Sequence, residues 1–325
     1  MEQKRLRQAQ ELFEVPEEFY EVSCQMVHDV EWELILAMDK RTIPYEELKK
    51  LVEKERLAAD AADFIRECYS RAILKKVIAE DGSLSYMATN FYARYPYYTQ
   101  YEYYEYGKLP REMKERLNEW DRAVYVSIYK DDVEKKKQGI ETWIHNSTFL
   151  TLAEANAVLE QHPEHITLHA CNCKTMMYYH DRPLQVCMHL FDWPNSESDR
   201  GHGECLTLEE AKVKLKEFNK KGLMQNGEEG GFCNCDGYCC YPLHMARTLG
   251  SKGFYPKSNY QIDWHEDECI NCGKCTTICN FGAFYKDENK KVHYNPDLCW
   301  GCTICSPNCP KGAIHLIPKE ENENS

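Results

Sequence analysis

No uninterrupted apolar run in the 325-residue chain exceeds the five residues Leu34 to Met38. A bilayer-spanning helix needs roughly 20, so no membrane segment is expected. Positive charge is short as well: 40 Lys+Arg face 53 Asp+Glu, a formal charge of -13. That balance repels nucleic acid and anionic lipid. The opening residues, MEQKRLRQAQELFE, contain no apolar stretch of the secretory kind, and the expected location is the cytoplasm. There is no GxGxxG after a strand, no GxxxxGK[ST] and no G-x-S-x-G, so flavin, nicotinamide and nucleotide sites have no support in the sequence. The length suggests two or three domains of ordinary size.

What the chain has in excess is cysteine, 18 residues in all. In a long chain expected to sit in a reducing compartment, dense cysteines at short spacings read as metal ligands rather than disulfides. Eight lie in 269–309 and eight in 171–240; Cys24 and Cys68 stand alone, at positions expected to be helical, and are expected to be packed thiols.

The C-terminal eight belong to an internal repeat with a 30-residue offset. One copy reads Ile262-Asp263-Trp264, Cys269-x2-Cys272-x2-Cys275-x3-Cys279, Gly282-Ala283-Phe284. The other reads Val292-His293-Tyr294, Cys299-x2-Cys302-x2-Cys305-x3-Cys309, Gly312-Ala313-Ile314. Each predicts a short strand, a cysteine loop, a helical turn and a second strand. A CxxCxxC loop wraps three thiolates round one iron–sulfur cube, and the fourth cysteine reaches the other cube. The spacing therefore assigns Cys269, Cys272, Cys275 and Cys309 to one [4Fe–4S] cluster and Cys299, Cys302, Cys305 and Cys279 to a second. Zinc knuckles or disulfides are the competing reading. The segment 262–318 resembles a bacterial two-cluster ferredoxin. Pro310 follows Cys309 as is usual there, whereas Asn280 follows Cys279, a departure. The resemblance implies single-electron transfer with complete cysteine ligation.

Upstream, Cys171-x-Cys173, Cys187, Cys205 and Cys233-x-Cys235-x3-Cys239-Cys240 form a second group. The stretch 207–223 predicts an amphipathic helix, with Thr207 as N-cap, Glu210 at the third position and Gly222 as stop, that folds one thiol set onto the other. HACNCK, Cys187, KKGLMQ and FCNCDGYCCYPL resemble the cysteine-rich region preceding two-cluster ferredoxin modules in 4Fe–4S binding proteins of anaerobes. By that resemblance Cys171, Cys173, Cys187, Cys233, Cys235, Cys239 and Cys240 are metal positions, and Cys205 is not. A third iron–sulfur centre is one reading. Structural zinc with His169, His180, His189, His202 or His244 is another, and a redox-active dithiol at Cys239-Cys240 a third.

In the N-terminal half a helix from Pro16 carries Phe19, Val22, Met26, Val30, Leu34 and Met38. A second starts at Thr42-x-Pro44 with Leu48, Leu51 and Val52 inward, and a third over 60–76 buries Phe64, Ile65, Ala72 and Ile73. VIAEDGSLSYMAT then alternates about Asp81-Gly82, a hairpin. Three helices and a hairpin follow the order of a winged helix. Residues 28–90 hold ten Lys+Arg against 13 Asp+Glu, so nucleic acid is not the expected partner; docking or homodimerisation is. Residues 91–106 contain eight tyrosines and one arginine, the composition of a seam or interface. Lys135-Lys136-Lys137 reads as the solvated end of a charged helical stretch over 110–138, and the tail from Lys319 as frayed.

The expected fold is α+β and multidomain: a winged-helix-like domain (1–90), a Tyr-rich and charged helical connector (91–145), a cysteine-rich α/β metal-binding domain (146–258) and a two-cluster ferredoxin domain (259–325). The expected function is single-electron relay through the two [4Fe–4S] clusters, to or from a third metal centre or between redox partner proteins, in an oxygen-sensitive protein. A reductase with its active metal in 171–240 and a redox-responsive DNA-binding regulator are the alternatives.

Overall fold

The computed structural model describes residues 2–228 and 230–319, the Glu228 side chain apart; the expectation of a frayed tail falls, past Lys319, outside the described residues. The fold mixes helices and strands, as expected of an α+β chain. It divides into two compact units, one of residues 1–121 and 192–203, the other of 122–191 and 204–325. No described helix is long and apolar enough to cross a membrane.

The first unit begins with α1 (Gln3–Leu12), α2 (Tyr20–Met26) and α3 (Asp29–Met38). The single helix expected from Pro16 is thus divided. Val27 is extended, and His28 caps α3 in a reciprocal pair with Glu31, whose carboxylate accepts the His28 amide at 2.7 Å. That capping box satisfies orphan amides and starts a new helix in a different direction. Val30, counted on the buried stripe, is accordingly exposed. Next come β1 (Ile43–Pro44), α4 (Tyr45–Lys54), α5 (Ala61–Ser70), β2 (Leu74–Ile78) and β3 (Leu84–Ala88). Helix α5 stops short of the expected residue 76 because Ala72 turns left-handed, at φ 57°. The hairpin at Asp81-Gly82 forms as read, and β1 joins it as a third antiparallel strand in the order β1-β3-β2.

The tyrosine run folds as α6 (Phe91–Tyr101) and α7 (Tyr103–Gly107), with Tyr95, Tyr98 and Tyr106 buried. Burial pushes the Tyr98 phenol up to about 12. Within this layer Arg94 is fully buried, donating to the Met26 carbonyl and pairing with Glu102. Arg71 spans Glu102 at 2.8 Å and Glu31 at 2.7 Å. The alternating charges Glu31, Arg71, Glu102 and Arg94 compensate one another, without which burial would be costly. Tyr95, Tyr98 and Tyr106 are thus core of this unit, while Tyr104 is exposed. The segment 192–203 joins it: Arg200 donates to the Leu74 carbonyl at 2.8 Å, and the Asn195 side chain bonds both backbone groups of Lys76.

Helix α8 (Arg111–Lys137) carries the boundary between the units. The second unit continues with β4 (Thr148–Leu150), α9 (Leu152–Gln161), β5 (Thr167–Ala170), α10 (Asn172–Met176), β6 (Gln185–His189), β7 (Glu204–Cys205) and α11 (Leu208–Lys220). Then follow β8 (Met224–Glu228), β9 (Gly231–Cys235), α12 (Tyr241–Thr248) and β10 (Lys257–Ser258). The strands form one sheet in the order β10-β4-β8-β9-β6-β5-β7. Thr207 and Glu210 build the expected capping box on α11, and Gly222 takes φ 82° after it. Ala211, Leu215 and Phe218 of α11 and Ala155 and Leu159 of α9 cover Val186, Met188 and Phe232 of the sheet. The unit ends with β11 (Tyr260–Trp264), α13 (Lys274–Ile278), β12 (Phe284–Lys286), β13 (Val292–Tyr294) and β14 (Ile314–Pro318).

Candidate metal centres

In the C-terminal segment the two repeat copies interlock. The first strand of one copy, β11, pairs with the last strand of the other, β14, while β12 pairs with β13. Ile262 and Val292, Phe284 and Ile314 are equivalent positions, and all four are buried together with Cys305. This exchange of strands carries each fourth cysteine to the opposite loop. Cys309 lines one cavity with Cys269, Cys272 and Cys275, walled by Trp264, Val292 and Ile314. The electrostatic neighbours of Cys302 and Cys305 include Cys279 and Cys299. Both tetrads expected from the spacing are therefore brought together.

The loops are shaped alike. Asn271 and Gly301, then Gly273 and Thr303, are pairs offset by 30 residues, and all four have φ between 55° and 79°. These left-handed residues curl each loop and turn backbone amides inward, a nest for negative charge. The Asn271 amide approaches Cys269 Sγ at 3.4 Å and the Gly301 amide approaches Cys299 Sγ at 3.3 Å. Burial, followed by the charges of Cys269 and Cys272, pushes the Cys275 thiol up to about 11. Thiols converging in this way are a donor set for a cation. The residues fit iron–sulfur clusters.

The middle cysteines converge on the sheet face opposite α11. Phe149, Asn226, Cys233, Cys187 and His169 are successive register partners across β4, β8, β9, β6 and β5, which puts their side chains on one face. Cys187 Sγ lies 3.5 Å from Cys233 Sγ, and Cys235, two residues further along β9, lies 3.5 Å from Cys240 Sγ. Cys171 and Cys173 enter from the start of α10; Cys173 and Cys187 hydrogen-bond to Cys171 and hold its pKa well below the ordinary thiol range. Cys187 and Cys235 do the same for Cys233, assisted by the Asn146 amide at 3.5 Å. The donors Cys173, Cys187 and Cys235 are correspondingly raised. Cys239 differs: its thiol meets Asp236 Oδ2 at 3.1 Å and is raised by burial, then by the charge of Cys171. All seven expected positions thus form one nest. Cys205 sits on the edge strand β7, exposed.

Several groups around the nest carried no sequence signal. Lys174, fully buried, lies 3.5 Å from Asp236. Burial works to lower its pKa, but Cys171 and Asp236 outweigh it and the ammonium is held above its usual value. His145, depressed by burial, bonds the Tyr125 hydroxyl at 2.8 Å; Cys233 is among its charged neighbours, and Cys173 and Cys240 are among those of Tyr125. Asn226 is wholly buried, and neither end of its amide has a hydrogen-bond partner among the described residues. A buried amide left so costs about 1–3 kcal/mol. Beside Cys233 it fits a bound group that accepts its N–H. Only spatial pairing would have revealed these residues: Asn226 lies seven positions from Cys233, and His145 far from both cysteine stretches.

Of the histidines offered as nitrogen ligands, His169 and His189 stand near the nest, His189 among the charged neighbours of Cys233 and with its ring tilted against that of His169, centroids 4.5 Å apart. His180 packs on Tyr178, and His244 is partly exposed on α12. His202 belongs to the first unit, stacked on Tyr101. Cys68 is a packed thiol as expected, but Cys24 is exposed: α2 turns it outward while Val22, Ser23 and Met26 face in.

No curated protein and no solved structure matches the chain. Residues 262–316 match the family model described as a 4Fe-4S dicluster domain, a match that leaves out the middle cysteines. The C-terminal part is therefore ferredoxin-like, similar to domains that carry iron–sulfur clusters for electron transfer.

Proposed function

We propose that the protein relays single electrons between a redox partner and a metal centre on the thiol face of the middle sheet. The ligands are Cys269, Cys272, Cys275 and Cys309 for one [4Fe–4S] cluster, and Cys299, Cys302, Cys305 and Cys279 for the other. Held there, such clusters supply one-electron transfer at a potential set by hydrogen bonds and exposure. The middle centre draws on Cys171, Cys173, Cys187, Cys233, Cys235, Cys239 and Cys240, and the reading favoured is a third iron–sulfur cluster. The observation that carries this is the convergence of all seven thiols in the same folded unit as both tetrads. The Asn146 amide donates to Cys233, Asn226 is the register partner of Cys233 on β8, and Lys174 offsets the negative charge of the nest.

A second reading, a reductase with its active metal on the thiol face, is favoured by the Tyr125–His145 pair. Seven thiols also exceed the four that one cube requires. In either case the first unit serves as a docking or dimerisation module. Its order of helices, strand and hairpin supports a winged helix, and its negative balance argues against nucleic acid.

Iron, zinc and acid-labile sulfide in anaerobically purified full-length protein test the relay. About twelve irons are expected, four per cube. About eight irons with added zinc would leave the middle site structural and defeat the relay to a third redox centre. Substrate-dependent oxidation of the reduced protein, lost in Cys233→Ala, would favour the reductase.

A further inference from the structure

Asn280, where the ferredoxin pattern departs from proline, is engaged at both ends of its amide. Oδ1 accepts the Gly237 N–H at 2.9 Å, and Nδ2 donates to the Gly222 carbonyl at 2.8 Å. Gly237 lies in the loop between Cys235 and Cys239. A β-carbon there would stand 2.5 Å from the Asn280 carbonyl oxygen, so the two loops meet this closely because residue 237 has no side chain. Beside this clamp, Cys235 and Cys240 share an apolar core with Cys302, Ile278 and Phe149.

The other tetrad meets the middle region differently. Asn308 donates to Asn219 Oδ1 at 2.8 Å and Lys274 to the Lys220 carbonyl at 3.1 Å. Both contacts reach the end of α11, the helix covering the sheet face away from the thiols; Asn280 also touches that end, at Gly222, while bonding the thiol loop at Gly237. The core shared with Cys235 and Cys240 contains none of Cys269, Cys272, Cys275 and Cys309, and Cys272 is exposed.

Resting on the relay reading above, we infer that the two tetrads hold fixed and different places in the path. The Cys279, Cys299, Cys302 and Cys305 tetrad exchanges electrons with the thiol face, and Asn280 is the positioning residue that holds the two loops together. The Cys269, Cys272, Cys275 and Cys309 tetrad meets the external one-electron donor or acceptor. Groups held at these sites would supply one-electron transfer: a viologen radical cation, oxidised to its dication, would reduce the group held by the outer tetrad, which the inner one would reoxidise, and the metal on the thiol face would reoxidise that in turn.

The test is electron paramagnetic resonance of the viologen-reduced, anaerobic full-length protein, with reduction of the thiol-face centre followed in time. Spin coupling should broaden the thiol-face signal. The broadening should survive Cys272→Ser and vanish in Cys299→Ser; the reverse pattern overturns the order. Should those variants fail to fold, Asn280→Leu and Gly237→Ala decide. Both should keep the full iron content yet lose coupling and slow the last transfer, while Pro310→Asn, the equivalent position in the other copy, changes neither. Unaltered coupling in Asn280→Leu and Gly237→Ala with about twelve irons present overturns this inference alone. About eight irons with zinc in the unaltered protein defeats the relay reading and this inference with it.

Discussion

The two cysteine regions of the second unit gather their thiols by different means. In the C-terminal module the ligands come from two short stretches of identical spacing, and the strand exchange β11–β14 and β12–β13 crosses their fourth members. In the middle region they come from 171–173, 187 and 233–240, joined only by the register of β6 against β9 and the starts of α10 and α12. The apolar cores differ in the same sense. The module's own core is small, Ile262, Phe284, Val292 and Ile314 with Cys305, while its Ile278 and Ile304 pack with Phe149, Met224 and Leu243 of the middle region. The middle sheet has a larger core of its own beneath α9 and α11, and Cys171 and Cys187 join it from the thiol side. A region that encodes its ligands locally has little else to fold around, whereas one that assembles ligands through a sheet has built the sheet independently.

Metal removal is the strongest way to break that comparison. A module this small buries too little apolar surface to offset its chain entropy, and its metal bonds act as folding energy. Oxidative stripping with a chelator should abolish hydrogen-exchange protection throughout 262–318 while β5, β6, β8 and β9 keep theirs. Equal loss in both regions would show that the middle sheet depends on its metal as well.

Ligand substitution separates the cysteines next. Cys233→Ala removes the thiol that Cys187 and Cys235 both bond, and should cost the whole middle metal, about four irons if it is a cube, with the C-terminal irons intact. Cys205→Ala, on an exposed edge strand, should cost none. Metal analysis of the two variants side by side checks this; iron lost from Cys205→Ala would place that thiol in the site.

The same contrast governs what could be read from the sequence. The crossed tetrads, the α11 cap at Thr207 and the turn at Asp81-Gly82 are written in spacings of a few residues, and the cap and the turn form where expected. The seven-thiol nest was legible as a set, because CxC pairs and loop glycines mark it, but not as a geometry. Its surroundings, Asn226, His145, Tyr125 and Lys174, are ordinary residues until the sheet register, the middle of α8 and the segment after it bring them to Cys233 and Cys173. The N-terminal pattern erred for a local reason. An apolar stripe at helical spacing runs through Val27-His28, yet the His28–Glu31 capping box overrides it and divides the helix. Nor does composition announce that 192–203 leaves the middle region to join the first unit.

The finest distinction lies between two neighbours on β8. Gln225 faces α11 and is fully engaged: it accepts from Asn219 at 2.8 Å and donates to Asn234 at 2.9 Å and to the Leu223 carbonyl at 2.8 Å. Asn226, one residue on, faces the thiols with both ends of its amide unpartnered among the described residues. Gln225→Leu should therefore destabilise the protein by about 1–3 kcal/mol with or without metal, since Asn219 and Asn234 lose their partner in both states. Asn226→Leu should have opposite signs in the two. In the metal-free protein it removes a desolvated amide from an apolar setting and should stabilise by about 1–3 kcal/mol. In the loaded protein it removes the hydrogen bond that the amide is placed to give, and metal should be lost faster to a chelator. Denaturant unfolding of stripped and loaded samples of both variants reads the signs directly. Destabilisation of the stripped protein by Asn226→Leu would mean that the amide is satisfied within the fold, and that the thiol face alone selects what binds there.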